Sequence, residues 1–221
     1  MIPKLLTEFV GTFIFLTVIA LSGTAGAFAP LAIGMALMAM VYMGGHVSGA
    51  HYNPAVSFGL WLRQVIPAST MGLYWAVQIV AGVLAFTLGY LIAGKHGGIH
   101  PGTSVGVLSA VGAEVVFTTA LVLVVLNVAA TKETAGNSYY GLAIGATVAA
   151  GAFIAGPISG GAFNPAVGIG ATFAGAAFGH DSLSDLFIYI VGPLAGAAVA
   201  ALVHWLQQRP GPIMPEASER T

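Results

Sequence analysis

One fifteen-residue segment of this chain occurs twice, and the duplication limits the possible folds more than any other feature. Residues 45–59 match residues 156–170 at a constant offset of 111, with eight identical positions. Both copies contain the tripeptide Asn-Pro-Ala. Glu8 and Glu114 continue the correspondence at an offset of 106. The sequence therefore predicts two structurally similar halves.

The segments around these motifs have the composition of a protein solvated by lipid. Only 6% of the 221 residues are charged and 57% are hydrophobic, whereas a soluble domain carries about 25% charged residues. A water-soluble globule is therefore excluded. Hydropathy and helix breakers predict six spans, near residues 5–27, 31–44, 69–93, 105–130, 138–156 and 183–207.

Two further apolar stretches are too short to cross a membrane. They cover residues 54–62 and 165–174, and about ten residues of helix span about 15 Å of a hydrocarbon core that is about 30 Å thick. Each half then has three full spans, and this odd number places the second half upside down in the membrane. The predicted fold class is an all-α membrane protein with six transmembrane helices and two re-entrant half-helices in an inverted repeat.

The chain is predicted to form one domain up to residue 208. Its repeats cover about residues 1–100 and 101–208, and a tail follows at residues 209–221. The first run is interpreted as a span, although the small residues 25–27 resemble a signal-peptide cleavage site. Both termini are expected to be cytoplasmic, in the cell (inner) membrane, because one side of the bundle holds five of the six basic residues: Lys4, Arg63, Lys132, Arg209 and Arg220.

The Asn-Pro-Ala tripeptides are typical of helix starts. Asn is a favoured N-cap, Pro is tolerated at the first helical position because its missing N–H has no partner there, and Ala propagates a helix well. If the two half-helices enter from opposite faces, their N-termini meet near the middle of the membrane. Each brings about half a positive charge from its helix dipole, so this point would repel cations.

The segments before the tripeptides predict a pore wall. Residues 45–52 and 156–163 are rich in Gly and Ser, and we expect them not to be helical throughout. Non-helical backbone is tolerated at membrane depth where it lines a water-filled cavity. Its carbonyls accept hydrogen bonds, and the amides of Asn53 and Asn164 supply donors for a file of water. The predicted pore centre consists of Asn53, Pro54, Ala55, Asn164, Pro165 and Ala166.

These residues resemble the aquaporins, also called major intrinsic proteins. The similarity extends from Glu8 to the Gly192-Pro193 turn of the last span, and its most specific parts are residues 48–56 and 156–167. The resemblance implies a homotetramer with one pore per subunit, through which water and small uncharged solutes flow passively. The sequence, with no Cys and a net charge of −1, gives no reason to expect catalysis, a metal, a cofactor or a nucleic-acid partner.

The chain departs from the family at the predicted selectivity filter. Val167 occupies the position, directly after the second tripeptide, where the family usually has an Arg. Alignment by distance from the two Asn residues places the other filter positions at Ile33, Ala152 and Gly161, where strict water channels commonly have an aromatic residue, a His and a small residue. We expect a wide, apolar filter that also admits larger neutral solutes.

The choice among these solutes stays open at this point. Residues 167–170 contain no carboxylate, so the signature of the glycerol-conducting branch is absent. Some plant vacuolar members also have Val after the second tripeptide and a similar Ser-Gly-Gly run. A channel mainly for ammonia, urea or glycerol, with water secondary, is the alternative to a channel for water and small neutral solutes.

Several further residues receive roles from the resemblance. Glu8 and Glu114 would each cost about 2.5–3.5 kcal/mol at a lipid-facing midplane, and the family places them inside the bundle as acceptors for the pore-loop backbone, with His51 behind the loop. Proton relay is the alternative for the carboxylates. The remaining lining residues of the pore loops are His46, at the cytoplasmic mouth and a candidate pH sensor, Gly49, Ala50 and Gly160.

Two other classes of protein are alternatives to a channel. A secondary transporter also uses inverted repeats and broken helices, but it needs a coupling-ion site. An intramembrane enzyme needs a nucleophile, a base or a metal cluster. Four further polar residues lie on the predicted outer side: His96, His100, His180 and Asp181. A surface metal or pH site is one interpretation of them, and solvated loop residues are the simpler one. The sequence favours a channel.

Overall fold

The computed structural model describes residues 1–95, 97–180 and 183–208. Within these residues the secondary structure is entirely helical. The predicted tail at 209–221, together with His96 and Asp181, lies outside the described residues. The α-helices are α1 Ile2–Leu21, α2 Ala29–Ser48, α3 Pro54–Leu62, α4 Ala68–Ala93, α5 Val107–Val125, α6 Tyr140–Ser159, α7 Pro165–Ala177 and α8 Leu186–Gln207.

Five helical stretches in this part of the chain are long and apolar enough to cross a membrane. The first, Ile2–Ser48, contains both α1 and α2, which are joined by a 3₁₀ segment at Ser22–Phe28. Gly26 interrupts the helical path there with φ 55° and ψ −129°, a conformation that side chains with a Cβ rarely adopt. With 9 and 13 residues, α3 and α7 are much shorter. The protein is an integral, multi-pass membrane protein.

The ends of five helices differ from the prediction, and two of them, α1 and α5, end at Leu21 and Val125, before the predicted residues 27 and 130. α2 continues to Ser48 and α6 to Ser159, so the first four residues of each segment that we expect not to be helical throughout are helical. Both helices end where a glycine adopts the left-handed conformation, at Gly49 and Gly160, each with φ 92°. α7 runs three residues beyond its predicted end. The non-helical backbone is therefore shorter than expected and lies immediately before each tripeptide.

The helices pack in two related sets of four. α1 packs against α2 and α4, and in the same way α5 packs against α6 and α8. The sets meet where α2 packs against α6. Each short helix also contacts the last helix of the other set, because α7 packs against α4 and α3 against α8. This exchange fixes the two short helices relative to each other.

Glycines allow the sets to approach at backbone distance. A Cβ added at Gly34 of α2 would lie 2.5 Å from the carbonyl oxygen of Gly145 in α6, and one at Gly145 would lie 2.5 Å from the carbonyl oxygen of Gly34. Real Cβ atoms do not approach a carbonyl so closely. In lipid there is no hydrophobic driving force between helices, so association depends on close van der Waals packing, which these small residues allow.

Candidate pore

Each Asn-Pro-Ala tripeptide begins a short helix, as the sequence predicts. The backbone of Asn53 is extended, with φ −158° and ψ 120°, and its Oδ1 accepts a hydrogen bond of 2.8 Å from the Ala55 N–H. Asn164 has φ −156° and ψ 113°, and its Oδ1 accepts from the Ala166 N–H at 2.9 Å. Both side chains therefore satisfy a helix N–H that has no partner within the helix. The first helical positions are Pro54 and Pro165.

The two Asn side chains also join the halves of the protein. Nδ2 of Asn53 donates to the carbonyl oxygen of Phe163 at 2.8 Å, and Nδ2 of Asn164 donates to the carbonyl oxygen of Tyr52 at 3.0 Å. Each amide thus binds the residue that precedes the other Asn. The reciprocal pair holds the N-termini of α3 and α7 side by side.

Both amides lie at the space between the halves. Asn53 and Asn164 are 4% and 2% exposed, and both line one internal cavity. A side-chain amide carries two N–H bonds, and within the described chain one of them makes the inter-half bond. The second N–H can therefore donate to a molecule in the cavity.

The loop backbone before each Asn is held in an uncommon conformation. Ala50, Tyr52 and Phe163 have φ of 52°, 50° and 49°, respectively. Such conformations cost about 1–3 kcal/mol for a residue other than glycine and persist only where the surroundings enforce them. The carbonyls of Tyr52 and Phe163 are the acceptors of the two inter-half bonds, so the strained conformation presents them to the Asn amides.

Glu8 holds the first pore loop from behind. Its Oε1 accepts from the Ser48 hydroxyl at 2.7 Å and from the His51 N–H at 2.9 Å, and its Oε2 accepts from the Tyr52 N–H at 2.8 Å and from Nε2 of Gln78 at 2.9 Å. The carboxylate is fully buried. Four donors thus converge on one group.

Glu114 makes the equivalent bonds in the second half. Oε1 accepts from the Ser159 hydroxyl at 2.7 Å and from the Ala162 N–H at 3.0 Å, and Oε2 accepts from the Phe163 N–H at 2.6 Å. This carboxylate is also fully buried. Both acidic residues therefore fix the residue whose carbonyl binds the opposite Asn.

Sequence reasoning missed the tyrosines that complete these loops. The Tyr74 hydroxyl donates to the Ser48 carbonyl at 2.8 Å, and the Tyr189 hydroxyl donates to the Ser159 carbonyl at 2.7 Å. Both tyrosines lie in the last helix of their half and are almost fully buried. Extension of the repeat beyond the duplicated segment, with an offset of 115 instead of 111, would have identified this pair.

A second group of polar contacts lies in the first half. Trp75 Nε1 donates to the Pro54 carbonyl at 2.8 Å, which ties the start of α3 to α4. His51 Nδ1 lies 2.9 Å from the Ser57 hydroxyl, and Gln78 Nε2 lies 3.3 Å from the same oxygen. The His51 ring is therefore bound behind the loop and also lines the cavity.

Two adjoining cavities run between the halves. One, of about 250 Å³, is lined by both Asn residues and extends to the α1–α2 and α4–α5 connections. The other, of about 450 Å³, is lined by His46, Gly49 and residues 134–137 of the α5–α6 connection. The cavities share three lining residues, which are Ala50, Val125 and Ile144.

Three of the four predicted filter positions lie together in the first cavity. Ile33, Ala152 and Gly161 line it, and so does Gly160. Val167 differs from the expectation, because its side chain is 1% exposed and the lining formed by the described residues does not include it. The short, buried Val side chain does not narrow the cavity. Neighbouring residues form the cavity wall at this position.

The lining of both cavities is electrically neutral apart from histidine. Within the described residues it contains no Asp, Glu, Lys or Arg. The described residues also hold no group of three His, Cys, Asp or Glu side chains that could bind a metal. In this lining, the two helix N-termini beside Asn53 and Asn164, each with about half a positive charge, are thus the main fixed charges.

Comparisons with known proteins identify the family of this chain. Residues 1–204 match the sequence model of the family described as "Major intrinsic protein". The chain is 37% identical over 173 residues to Aquaporin NIP1-1 of Oryza sativa subsp. japonica, covering 76% of this chain and 58% of that protein. It is 35% identical over 172 residues to Probable aquaporin TIP2-2 of the same plant, covering 77% of this chain and 67% of that protein.

A solved structure shares the fold. The aquaglyceroporin from Plasmodium falciparum superposes with a TM-score of 0.81 at 21% identity, covering 92% of this chain and 95% of that chain. At this identity the likeness concerns the fold alone. The family match over nearly all of the sequence carries the assignment: the chain belongs to the major intrinsic protein, or aquaporin, family.

Proposed function

We propose that this protein is a passive transmembrane channel for water and small neutral solutes, and not an enzyme. The observation that carries the proposal is the reciprocal pair of bonds from Asn53 and Asn164 to Phe163 and Tyr52. This pair brings two helix N-termini and two N–H donors to one point of a neutral cavity. A water molecule can exchange hydrogen bonds with these donors, whereas a cation meets two positive dipole ends.

The proposed architecture has six spans and two re-entrant helices. α1, α2, α4, α5, α6 and α8 span the bilayer, and α3 and α7 enter from opposite faces and stop at the two Asn residues. Residues 1–208 form a single channel unit with repeats of about 1–100 and 101–208. Four such units form a homotetramer with one pore each.

The ends of α3 and α8 support the proposed orientation. Arg63 Nε donates to Nδ1 of His204 at 3.0 Å, so the end of the first re-entrant helix lies beside the end of the chain's last span. Thr131 Oγ1 lies 2.8 Å from Nε2 of the same His204, so the neighbouring Lys132 lies at this end, and the proposed topology adds Lys4. An excess of Lys and Arg marks the cytoplasmic side. Both termini are therefore cytoplasmic in this proposal, in the cell (inner) membrane, with residues 209–221 as a tail.

The wide, apolar filter is the reason why we propose that neutral solutes larger than water pass through the pore. Ile33, Ala152 and Gly161 provide no charged group, and Val167 is withdrawn from the cavity. Ammonia, urea and glycerol are the candidate solutes. Conduction mainly of these solutes, with water secondary, is the second candidate function, and it is favoured by the small residues at 152 and 161.

A comparison of two enlarged side chains tests the proposed filter. Ala152→Phe adds a ring inside the cavity, and Val167→Arg adds a long cation that must leave its buried site for the cavity, because an unpaired buried charge is costly. Both variants should reduce urea or glycerol flux more than water flux. Stopped-flow light scattering on reconstituted vesicles, with a pH dye for ammonia, measures these fluxes.

The matched control is Ala150→Phe, on the exposed face of the same helix. It should leave the ratio of solute to water flux unchanged. If the native chain conducts water alone, or if both enlarged residues in the filter leave solute flux unchanged, the filter proposal is wrong.

A further inference from the structure

We propose that Arg63 and His204 are positioning residues of the pore, which hold the far end of the re-entrant helix α3 through a bond that exists only while His204 is neutral. The inference rests on the proposed channel function. It concerns the end of α3 that lies away from Asn53, and it is carried by the hydrogen bonds and the charges at that end.

His204 lies in the last turn of α8 and connects the ends of three helices. Its side chain is 5% exposed. Its Nδ1 accepts a hydrogen bond of 3.0 Å from Nε of Arg63, the residue that caps α3. Its Nε2 lies 2.8 Å from Oγ1 of Thr131, directly after the helical turn Leu126–Ala130 that continues α5. One imidazole therefore ties the ends of α3, α5 and α8 together.

The hydrogen-bond partners determine where the protons of this network lie. The Thr131 hydroxyl donates to the Leu126 carbonyl at 2.9 Å, so its oxygen accepts from the imidazole and Nε2 carries the proton. The Arg63 guanidinium only donates, so Nδ1 is unprotonated. Both bonds require the neutral ring with its proton on Nε2. A proton on Nδ1 would remove the acceptor and place a second positive charge against Arg63.

The surroundings of His204 do not offset such a second charge. α8 packs against α3, α5 and α7. Within the described residues, these elements and the start of the α5–α6 connection contain five other titratable or charged groups: Arg63, Glu114, Lys132, Glu133 and Tyr189. Glu114 and Tyr189 bind the second pore loop, and Lys132 and Glu133 are exposed and opposite in charge. A protonated His204 would therefore face mainly the Arg63 cation.

The bond matters for the pore because it fixes the second end of α3. At the first end, Asn53 donates to the Phe163 carbonyl and the Pro54 carbonyl accepts from Trp75. Only nine helical residues separate these contacts from Arg63. Since a short helix moves as one unit, release of Arg63 should loosen the position of the Asn53 amide at the pore centre.

The end of the other re-entrant helix is held by different chemistry. After α7, the Phe178 ring stacks on Tyr90 with the ring centroids 3.8 Å apart. Gly89 occupies the position in α4 that is equivalent to His204, at the offset of 115 that relates the two tyrosines of the pore loops. The repeat therefore does not duplicate the bond between Arg63 and His204, and this bond makes α3 the helix that depends on the proton.

The pH dependence of water permeability tests the proposal, because histidine changes its charge between about pH 5 and 8. Vesicles with the native protein should show a severalfold, reversible loss of water permeability across this range as the pH falls. His204→Gln supplies an acceptor and a donor that stay uncharged, so its permeability should stay high at every pH. Arg63→Ala lacks the donor, so its permeability should be low and independent of pH.

Lys132→Ala is the matched control for Arg63→Ala. It also removes one cation from this end of the molecule, but from an exposed position outside the cavity lining of the described residues. It should keep the native permeability and the native loss in acid. Thermal unfolding in detergent verifies that each variant is folded, and if His204→Gln does not fold, the comparison of Arg63→Ala with Lys132→Ala carries the test.

The outcomes separate this proposal from the channel proposal. If native vesicles at neutral pH are no more permeable than protein-free vesicles, the channel function is wrong and the role of the pair falls with it. If the native chain conducts equally at every pH, or if Arg63→Ala matches Lys132→Ala, only the role of the pair is overturned. A native-like loss in His204→Gln would also overturn it, because another group, such as His46 in the second cavity, would then explain the effect of acid.

Discussion

The two buried carboxylates show how single residues set the pore geometry. Glu8 and Glu114 each bind the N–H of the residue, Tyr52 or Phe163, whose carbonyl accepts from the opposite Asn. An acceptor with two oxygens can hold a strained loop through several charge-assisted bonds, which are stronger than neutral ones. In the proposed channel these residues act on the pore through the loop backbone, and proton relay is not needed to explain their burial.

Replacement of either carboxylate by an amide should destabilise the protein. In Glu8→Gln or Glu114→Gln, one side-chain oxygen becomes an NH2 group that faces a loop N–H, so a buried donor loses its acceptor at a cost of about 1–3 kcal/mol. Thermal unfolding in detergent should show a lower midpoint for both variants. Glu133→Gln, at an exposed position, is the control and should unfold like the native chain. Native-like stability of both buried variants would contradict the scaffold role.

At the level of the helices, the sequence predicts starts better than ends. The predicted bounds of α3, residues 54–62, agree with the structure because Asn and Pro define the start. The ends of α2 and α6 were placed too early, since continuation to Gly49 and Gly160 depends on a left-handed cap that several neighbouring glycines could provide. A π-helical turn at Leu126–Ala130 was not predicted. Its freed carbonyls bind side chains from the following connection, including Thr134 and Asn137.

The contact between α2 and α6 allows a direct test of helix packing. Gly145→Ala should destabilise the protein, because the new Cβ would lie 2.5 Å from the Gly34 carbonyl and 2.7 Å from the Met38 Cβ. Gly112→Ala is the control, since a Cβ there meets nothing within 4 Å. It should be neutral or stabilise α5 by about 0.5–1 kcal/mol. If the two variants show the same unfolding midpoint, the close approach of the helices is wrong.

For the whole molecule, the duplication predicts the architecture but not the contacts that complete it. The repeated tripeptides and acidic residues are visible in the sequence at offsets of 111 and 106, so the two related sets of helices could be predicted. An extended repeat pairs Tyr74 with Tyr189, but their hydrogen bonds could not be predicted, because a tyrosine in an apolar span gives no indication of its partner. The burial of Val167 could not be predicted either, because alignment gives its position along the chain but not the depth at which its side chain is buried.

The temperature dependence of osmotic water permeability in reconstituted vesicles tests the proposed channel most directly. We predict that the native protein raises water permeability well above that of protein-free vesicles, with an activation energy near that of water diffusion, and that it carries no potassium or proton current. Conduction through a fixed, neutral pore has these properties. Permeability equal to that of the bare bilayer, saturable flux or ion-coupled flux would contradict the proposal.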